Sequence, residues 1–337
     1  MEADRSEALP TARRPHRLAG GQPGLLEPGA STDPYRLRLY RILRTDFPLG
    51  YDPGLGAWLL SRYTDVALAL TDPRFTGYPH DGAPRGPVPA PLGLCRGSLV
   101  CTPLPGSGAA PEGSSAVERT AYVLARRIAG RDRADLVAEF CRWLPAGTYA
   151  VAAGRSYPDL HARPRPGGEG TDCARHTGLR ERALASFLAN MLDDPDLLTA
   201  VAGSEAGAGM LLGRAWTETL RRDPPVQIVL RRTRTEVRVS GGTLPGGAPV
   251  ACLIGAAGRD PARFAAPDRF DPLRADADPL LTGPSGCPAA LLGRLEAEHG
   301  LRALLTAMPG IRWADGFRPT SSGVLTRGPR TLLVQPS

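Results

Sequence analysis

Apolar residues first recur at a helical period from Asp33-Pro34-Tyr35 onward, where Leu37, Leu39, Tyr40 and Leu43 follow one another among charges. The run Ala57-Trp58-Leu59-Leu60 reads as a short apolar strand. Thr64-Asp65 then caps a helix through Val66 and Leu70. Helices resume over residues 116–129 and 134–144. An amphipathic helix spans 179–192 and stops at Asp194-Pro195, and another covers about 209–222 and ends at Asp223-Pro224-Pro225, since proline cannot continue a helix. Alternation then replaces the helical period: strands at 226–232 and 236–240, a turn at Gly241-Gly242, Leu244-Pro245-Gly246-Gly247, and the apolar run 250–254. A long irregular stretch, 258–287, precedes a final helix over about 289–308.

No internal repeat is visible, and the pattern predicts one mainly α-helical domain with small β-sheets over residues 31–337. Residues 1–30 are polar and rich in Gly and Pro, which predicts a flexible arm. Residues 78–115 and 154–171, dominated by Gly, Pro and Ser, are expected to be irregular.

Composition narrows the function classes. The chain has 337 residues, 42% of them hydrophobic, enough for a sizeable core. Its basic residues are all arginine, which with the Ala, Gly and Pro load has the look of high-GC coding and says nothing about mechanism. The net charge is +7, but the arginines are scattered among 34 acids and form no basic stripe, so no nucleic-acid partner is expected. Cysteines at 95, 101, 141, 173, 252 and 287 show no C-x-x-C and no metal-finger spacing, so neither a disulfide framework nor a metal site is indicated. The first residues carry charges throughout and no stretch approaches about 18 apolar residues, so a cytoplasmic protein with no membrane partner is expected.

Several motifs then fall in a familiar order. Glu218-Thr219-Leu220-Arg221 has the form E-x-x-R, Arg259-Asp260-Pro261 is followed by Phe264 and Pro267-Asp268, and Phe270-Asp271-Pro272-Leu273-Arg274 has the form F-x-P-x-R. Upstream, Trp58 to Val66 and Asp72-Pro73-Arg74-Phe75 match a first sheet and its following helix. Together these resemble the bacterial cytochromes P450. The resemblance implies that Glu218, Arg221 and Arg274 form the structural cluster of that fold, and that Cys287 stands where the family has its haem-iron thiolate, with Leu292, Gly293, Arg294 and Glu296 after it.

Against the same pattern, chemistry-bearing positions have changed. Around Cys287 only Gly283 keeps the family's residue; Leu280, Leu281, Ser285 and Ala289 replace Phe, Gly, His and Gly. A haem carries two propionates that need cationic partners in a dry pocket. The segment Leu94-Cys95-Arg96-Gly97-Ser98 lacks the family's His and Arg, which leaves Arg231 as the matched clamp. The family's acid–alcohol proton relay falls on Gly178 and Leu179, neither of which transfers a proton. Between the end of the 134–144 helix and Leu179 a Gly/Pro-rich connector stands where the family places its F, G and H helices and the start of its I helix, so a truncated P450 fold is expected.

That combination resembles the shortened, haem-free P450-like auxiliary proteins that accompany deoxysugar glycosyltransferases in macrolide and anthracycline biosynthesis. It implies no cofactor, no catalytic residue and a glycosyltransferase as hetero-oligomeric partner. The alternative is a truncated haem enzyme with Cys287 as axial ligand and Arg231 on a propionate. Two further features have plain readings: Gly207-Ala208-Gly209 with Gly213 is read as a loop and not as a phosphate cradle, and His176-Thr177 as a helix start.

Overall fold

The computed structural model describes residues 24–25, 33–77, 110–152, 171–203, 205–277, 279–280 and 288–336. Helix α1 (Asp33–Thr45) buries Arg36, Leu39, Tyr40 and Leu43 along one stripe, the spacing of a helix with one covered face. A hairpin follows, β1 (Leu49–Asp52) against β2 (Ala57–Leu60), which turns where Gly56 takes a φ of 61°. Leu25, inside the stretch read as an arm, is buried against α1, and its amide donates to Asp52 Oδ2 at 2.9 Å. Helix α2 (Tyr63–Thr71) is not capped by Thr64-Asp65. Its N-cap is Arg62, with no side-chain cap bond, and Asp65 turns inward instead to accept from the Ser240 amide. Strand β3 (Phe75–Gly77) closes this part.

The middle of the chain is more helical than its composition suggested. Helix α3 (Ala110–Ile128) starts inside the segment expected to be irregular. Pro111 lies in its first turn, where a missing N–H costs nothing, and its stripe Val117, Ala121, Leu124 and Ile128 is buried. The helix expected over 134–144 is divided: β4 (Ala134–Asp135), a π-helical turn (Val137–Cys141) and then α4 (Trp143–Ala152). Pairing with the C-terminal strand draws residues 134–135 out of a helix, and Asp135 Oδ1 accepts from both the Val137 and Leu332 amides.

Helix α5 (Thr171–Leu192) begins at Thr171 and not at Leu179. Once its buried half is fixed, each added residue costs little, so the polar first turns extend it. The connector is correspondingly shorter than expected, and its residues 153–170 lie outside the described residues. Pro195 opens a further helix, α6 (Pro195–Gly203), whose first turn receives Asp194 Oδ1 on the Leu197 amide at 2.9 Å. Helix α7 (Glu205–Arg222) starts ahead of the expected 209 and takes in Gly207, Gly209 and Gly213, so that glycine group is helix and not loop. A Cβ on Gly213 would come within 2.6 Å of the Arg294 guanidinium, the exposed end of a flexible side chain that would move aside.

Strands β5 (Ile228–Thr233), β6 (Val237–Val239), β7 (Gly242–Leu244) and β8 (Pro249–Leu253) follow, then the short α8 (Ile254–Ala257), α9 (Pro288–Ala307), β9 (Arg312–Trp313), β10 (Ser321–Ser322), β11 (Gly328–Pro329) and β12 (Leu333–Gln335). The main sheet runs β1-β2-β8-β5-β3, parallel between β2 and β8 and antiparallel elsewhere. Strands β4, β12 and β9 form a second sheet, and β6-β7 and β10-β11 are hairpins. Successive residues of β2 and β8 serve opposite faces: Leu60 and Cys252 pack with α2, Leu59 and Ala251 with α1. A strand covered on both sides reads as a continuous apolar run, as Ala57 to Leu60 does. The largest core joins α3, α4, α5, α7 and α9.

Candidate functional site

The structural cluster begins with local geometry. Glu218 and Arg221 lie one turn apart on α7, so their side chains share a face. Arg221 donates from Nε to Glu218 Oε2 and from Nη2 to Oε1, each at 2.7 Å, with neither side chain exposed. The remaining Arg221 donor, Nη1, reaches the Gly258 carbonyl at 2.6 Å and that of Pro267 at 2.9 Å. Arg274 closes the group from the long loop: its Nε lies 3.3 Å from Glu218 Oε1, and its Nη1 donates to the Ala265 carbonyl at 2.6 Å. The Asp271 amide also donates to Glu218 Oε1, at 3.1 Å. These three charged side chains thus order a loop that has no regular secondary structure, and their chemistry is that of a lock, since Glu218 and Arg221 are closed to solvent and the Arg274 side chain is nearly so.

A second cluster adjoins it at the end of α7. Asp223 accepts from Arg222 Nε at 2.7 Å, from Arg259 Nη2 at 2.6 Å and from Asn190 Nδ2 at 3.2 Å. Burial opposes charge on Asp223, but the two guanidiniums win and hold its carboxyl below the usual range. The Asp-Pro that ends the helix therefore doubles as a charge anchor, tying α7 to α5 and the loop after α8.

Of the positions tied to haem chemistry, some lie among the described residues. Gly178 lies within α5 with open space around it, and Leu179 is half-buried against the sheet-side core, as is Leu280. Arg231 sits half-buried on β5, paired in register with Gly77 of β3 and Val250 of β8. Cys287, Gly283 and Ser285 lie outside the described residues, as does the segment Leu94 to Ser98. Among the described residues no group of His, Cys, Asp and Glu could hold a metal ion. Cys252, buried in β8, has its thiol pushed up to about 12 by burial, against the opposing charge of Arg231, so it is no thiolate ligand.

The burial of three charged residues is not legible in the sequence. Arg180 on α5 and Glu296 on α9 form a buried ion pair, and burial pushes Glu296 up to about 7 against the pull of Arg180 and the Thr148 hydroxyl. Arg36 is buried at an inward position of the α1 stripe. Its spacing from Leu39, Tyr40 and Leu43 was the available signal; its charge concealed it.

Comparison with known proteins follows the same division between scaffold and chemistry. The profile of the family described as Cytochrome P450 matches residues 210–278, the stretch that holds both α7 clusters. Protein DesVIII of Streptomyces venezuelae is 33% identical over 360 aligned positions, covering 92% of this chain and 87% of its own. Pulcherriminic acid synthase of Bacillus subtilis is 32% identical over 166 positions, 46% of this chain and 40% of its own. Among solved structures, the haem domain of CYP116B5 from Acinetobacter radioresistens superposes with a TM-score of 0.73 at 18% identity, covering 93% of this chain and 97% of its own. P450BioI in complex with an acyl-loaded acyl carrier protein gives 0.70 at 19%, covering 90% and 98%.

Proposed function

The chain belongs to the cytochrome P450 superfamily, and from that premise we propose that it works as a non-catalytic partner, binding a glycosyltransferase that attaches deoxysugars in polyketide antibiotic biosynthesis and stabilising its active form. The observation that carries this reading is the pair at the family's proton-relay positions. Gly178 has no side chain and Leu179 is an apolar packing residue, so α5 offers no donor there.

The donor set supports the same reading. Of the positions that clamp a haem in the family, Arg231 is the cation among the described residues, and one half-buried guanidinium is a poor match for two propionates. That poor match supports a reading without the cofactor. What the chain keeps, at Glu218, Arg221 and Arg274, holds a fold and not a substrate. The pattern of likeness agrees: Protein DesVIII matches nearly end to end, whereas the synthase matches less than half of the chain.

On this reading the protein acts through linkage. A partner that binds the active conformation of a transferase better than its inactive or unfolded forms shifts the population toward activity without touching sugar or acceptor. The resemblance to the auxiliary proteins supports a transferase as the partner. Among the described residues no helix is long and apolar enough to cross a membrane.

Two measurements test it. The purified protein is expected to lack a Soret band; a band that shifts on reduction under carbon monoxide would establish the rival haem-thiolate reading through Cys287. Co-expression with a deoxysugar glycosyltransferase from the same gene neighbourhood is expected to raise that enzyme's soluble yield and turnover, and the absence of any effect refutes the partnership.

A further inference from the structure

Independently of that function, we infer that the cavity between α1, the α7–β5 junction and the β10–β11 hairpin is a binding site for a small monovalent anion, held chiefly by Arg36. The guanidinium is 1% exposed and stacks over the Tyr40 ring, 5.1 Å from its centroid. Its Nη2 donates to the Val324 carbonyl. Its Nε and Nη1 are buried and have no acceptor among the described residues, and both belong to a side chain that lines the cavity. So, among the described residues, a carbonyl, an aromatic ring face and its neutral hydroxyl meet a full positive charge, with no anion beside it.

Among the described residues the neighbours do not supply the missing negative charge. Arg222, Arg259 and Arg327 line the same cavity, with Asp223 as the carboxylate among them. Asp223 is already engaged by Arg222 and Arg259. Arg259 also reaches the outlying Asp268, at 2.7 Å, which adds nothing at Arg36. Arg327 donates to the carbonyls of Ser321 and Gly323. The Tyr40 hydroxyl donates to Gln227 Oε1 at 2.6 Å, and burial raises the phenol above its ordinary value against the pull of Arg36, so it stays neutral.

A desolvated guanidinium of this kind needs a counter-charge more than a hydrogen-bond acceptor, and water supplies only the second. The cavity holds about 20 Å³, room for an occupant of roughly one water's size, and it opens partly to solvent. A halide-sized anion satisfies both conditions; a phosphate ester does not fit. Bound there, it joins α1 to the end of α7 and to the C-terminal hairpin, three segments distant in sequence.

Thermal unfolding of the full chain, followed at constant ionic strength while sodium chloride or bromide replaces sodium gluconate, whose anion is far larger than a halide, tests the site. A ligand of the folded state raises Tm by a constant increment per decade once it exceeds its Kd, about 2 °C for a chain of this size. The unaltered protein is expected to show that slope with chloride and bromide, and Arg36→Met to lose it. Equal slopes in both proteins, or none in the unaltered one, overturn the proposal. Should Arg36→Met fail to fold, bromide-soaked crystals of the unaltered protein decide it: an anomalous peak in contact with the Arg36 guanidinium supports the site, and a cavity without one refutes it.

Discussion

Arg180 of α5 and Glu296 of α9, 116 positions apart, meet across the helical core with exposures of 7% and 0%. Arg180 Nη1 donates to Glu296 Oε1, and Arg180 Nη2 reaches the Pro145 carbonyl at 3.3 Å. Glu296 Oε2, also buried, has no well-formed hydrogen bond among the described residues. The pair is incompletely satisfied, which explains why burial outweighs the arginine and lifts the carboxyl to about 7 from its ordinary 4.5.

That shift makes stability depend on pH. Between about 4.5 and 7 the folded chain holds a proton on Glu296 that the unfolded chain has released, so stability falls as pH rises through this window and levels off above it. The full change is about 3 kcal/mol. Glu296→Gln keeps the shape and removes the titration. Urea midpoints from pH 4.5 to 8 are expected to decline in the unaltered protein and to lose that part of the slope in the variant.

The α7 lock predicts an asymmetry between two arginines. Arg221→Ala leaves Glu218 buried without its bidentate partner and frees three loop carbonyls, at a cost of about 3–5 kcal/mol. Arg74→Ala breaks an exposed pair with Asp72 that salt already screens, so the denaturation midpoint is expected to stay where it was. Urea titration of both variants checks the contrast.

Asp65 anchors the β6–β7 hairpin, because its Oδ1 accepts from the Ser240 amide at 3.0 Å. Asp65→Ala strands a part-buried N–H, and a loss of about 1–3 kcal/mol is expected. Hydrogen exchange at the Ser240 amide is expected to quicken in this variant while the amides of α5 stay protected.

Cysteine reactivity separates packing from chemistry. Cys141 and Cys252 are fully buried, and burial raises both thiols, the latter to about 12. Iodoacetamide at pH 8 is expected to spare both in the native protein and to modify both after unfolding. Labelling of either in the folded state, read by mass spectrometry, contradicts the packing.

On the proposed function, Cys287→Ser leaves the support of a co-expressed transferase unchanged, because the thiol has no part in a protein–protein role. A loss of transferase activity with this substitution, measured as product formed per unit of soluble enzyme, points instead to the haem-thiolate reading.

The scaffold was legible in the sequence wherever the physics is local. Glu218 and Arg221 are three residues apart on a helix, so their pairing follows from the helical period, and Arg274 stands in a short motif that brings it to them. The apolar run Ala57 to Leu60 announced a strand covered on both faces, and Asp223-Pro224-Pro225 marked the end of α7. Tertiary contact alone decided the rest. Asp65 has the local signature of a helix cap, yet it bonds an amide 175 residues on. Residues 134–135 have a helical neighbourhood, yet β12 draws them into a sheet. Arg36 and Glu296 look like solvated charges until the cores close over them, and the carbonyl that meets Arg36 lies 288 residues away. Periodicity states which side chains share a face; it carries no information on what that face will meet, and burial, which sets the energy of every charge named here, is a property of the meeting.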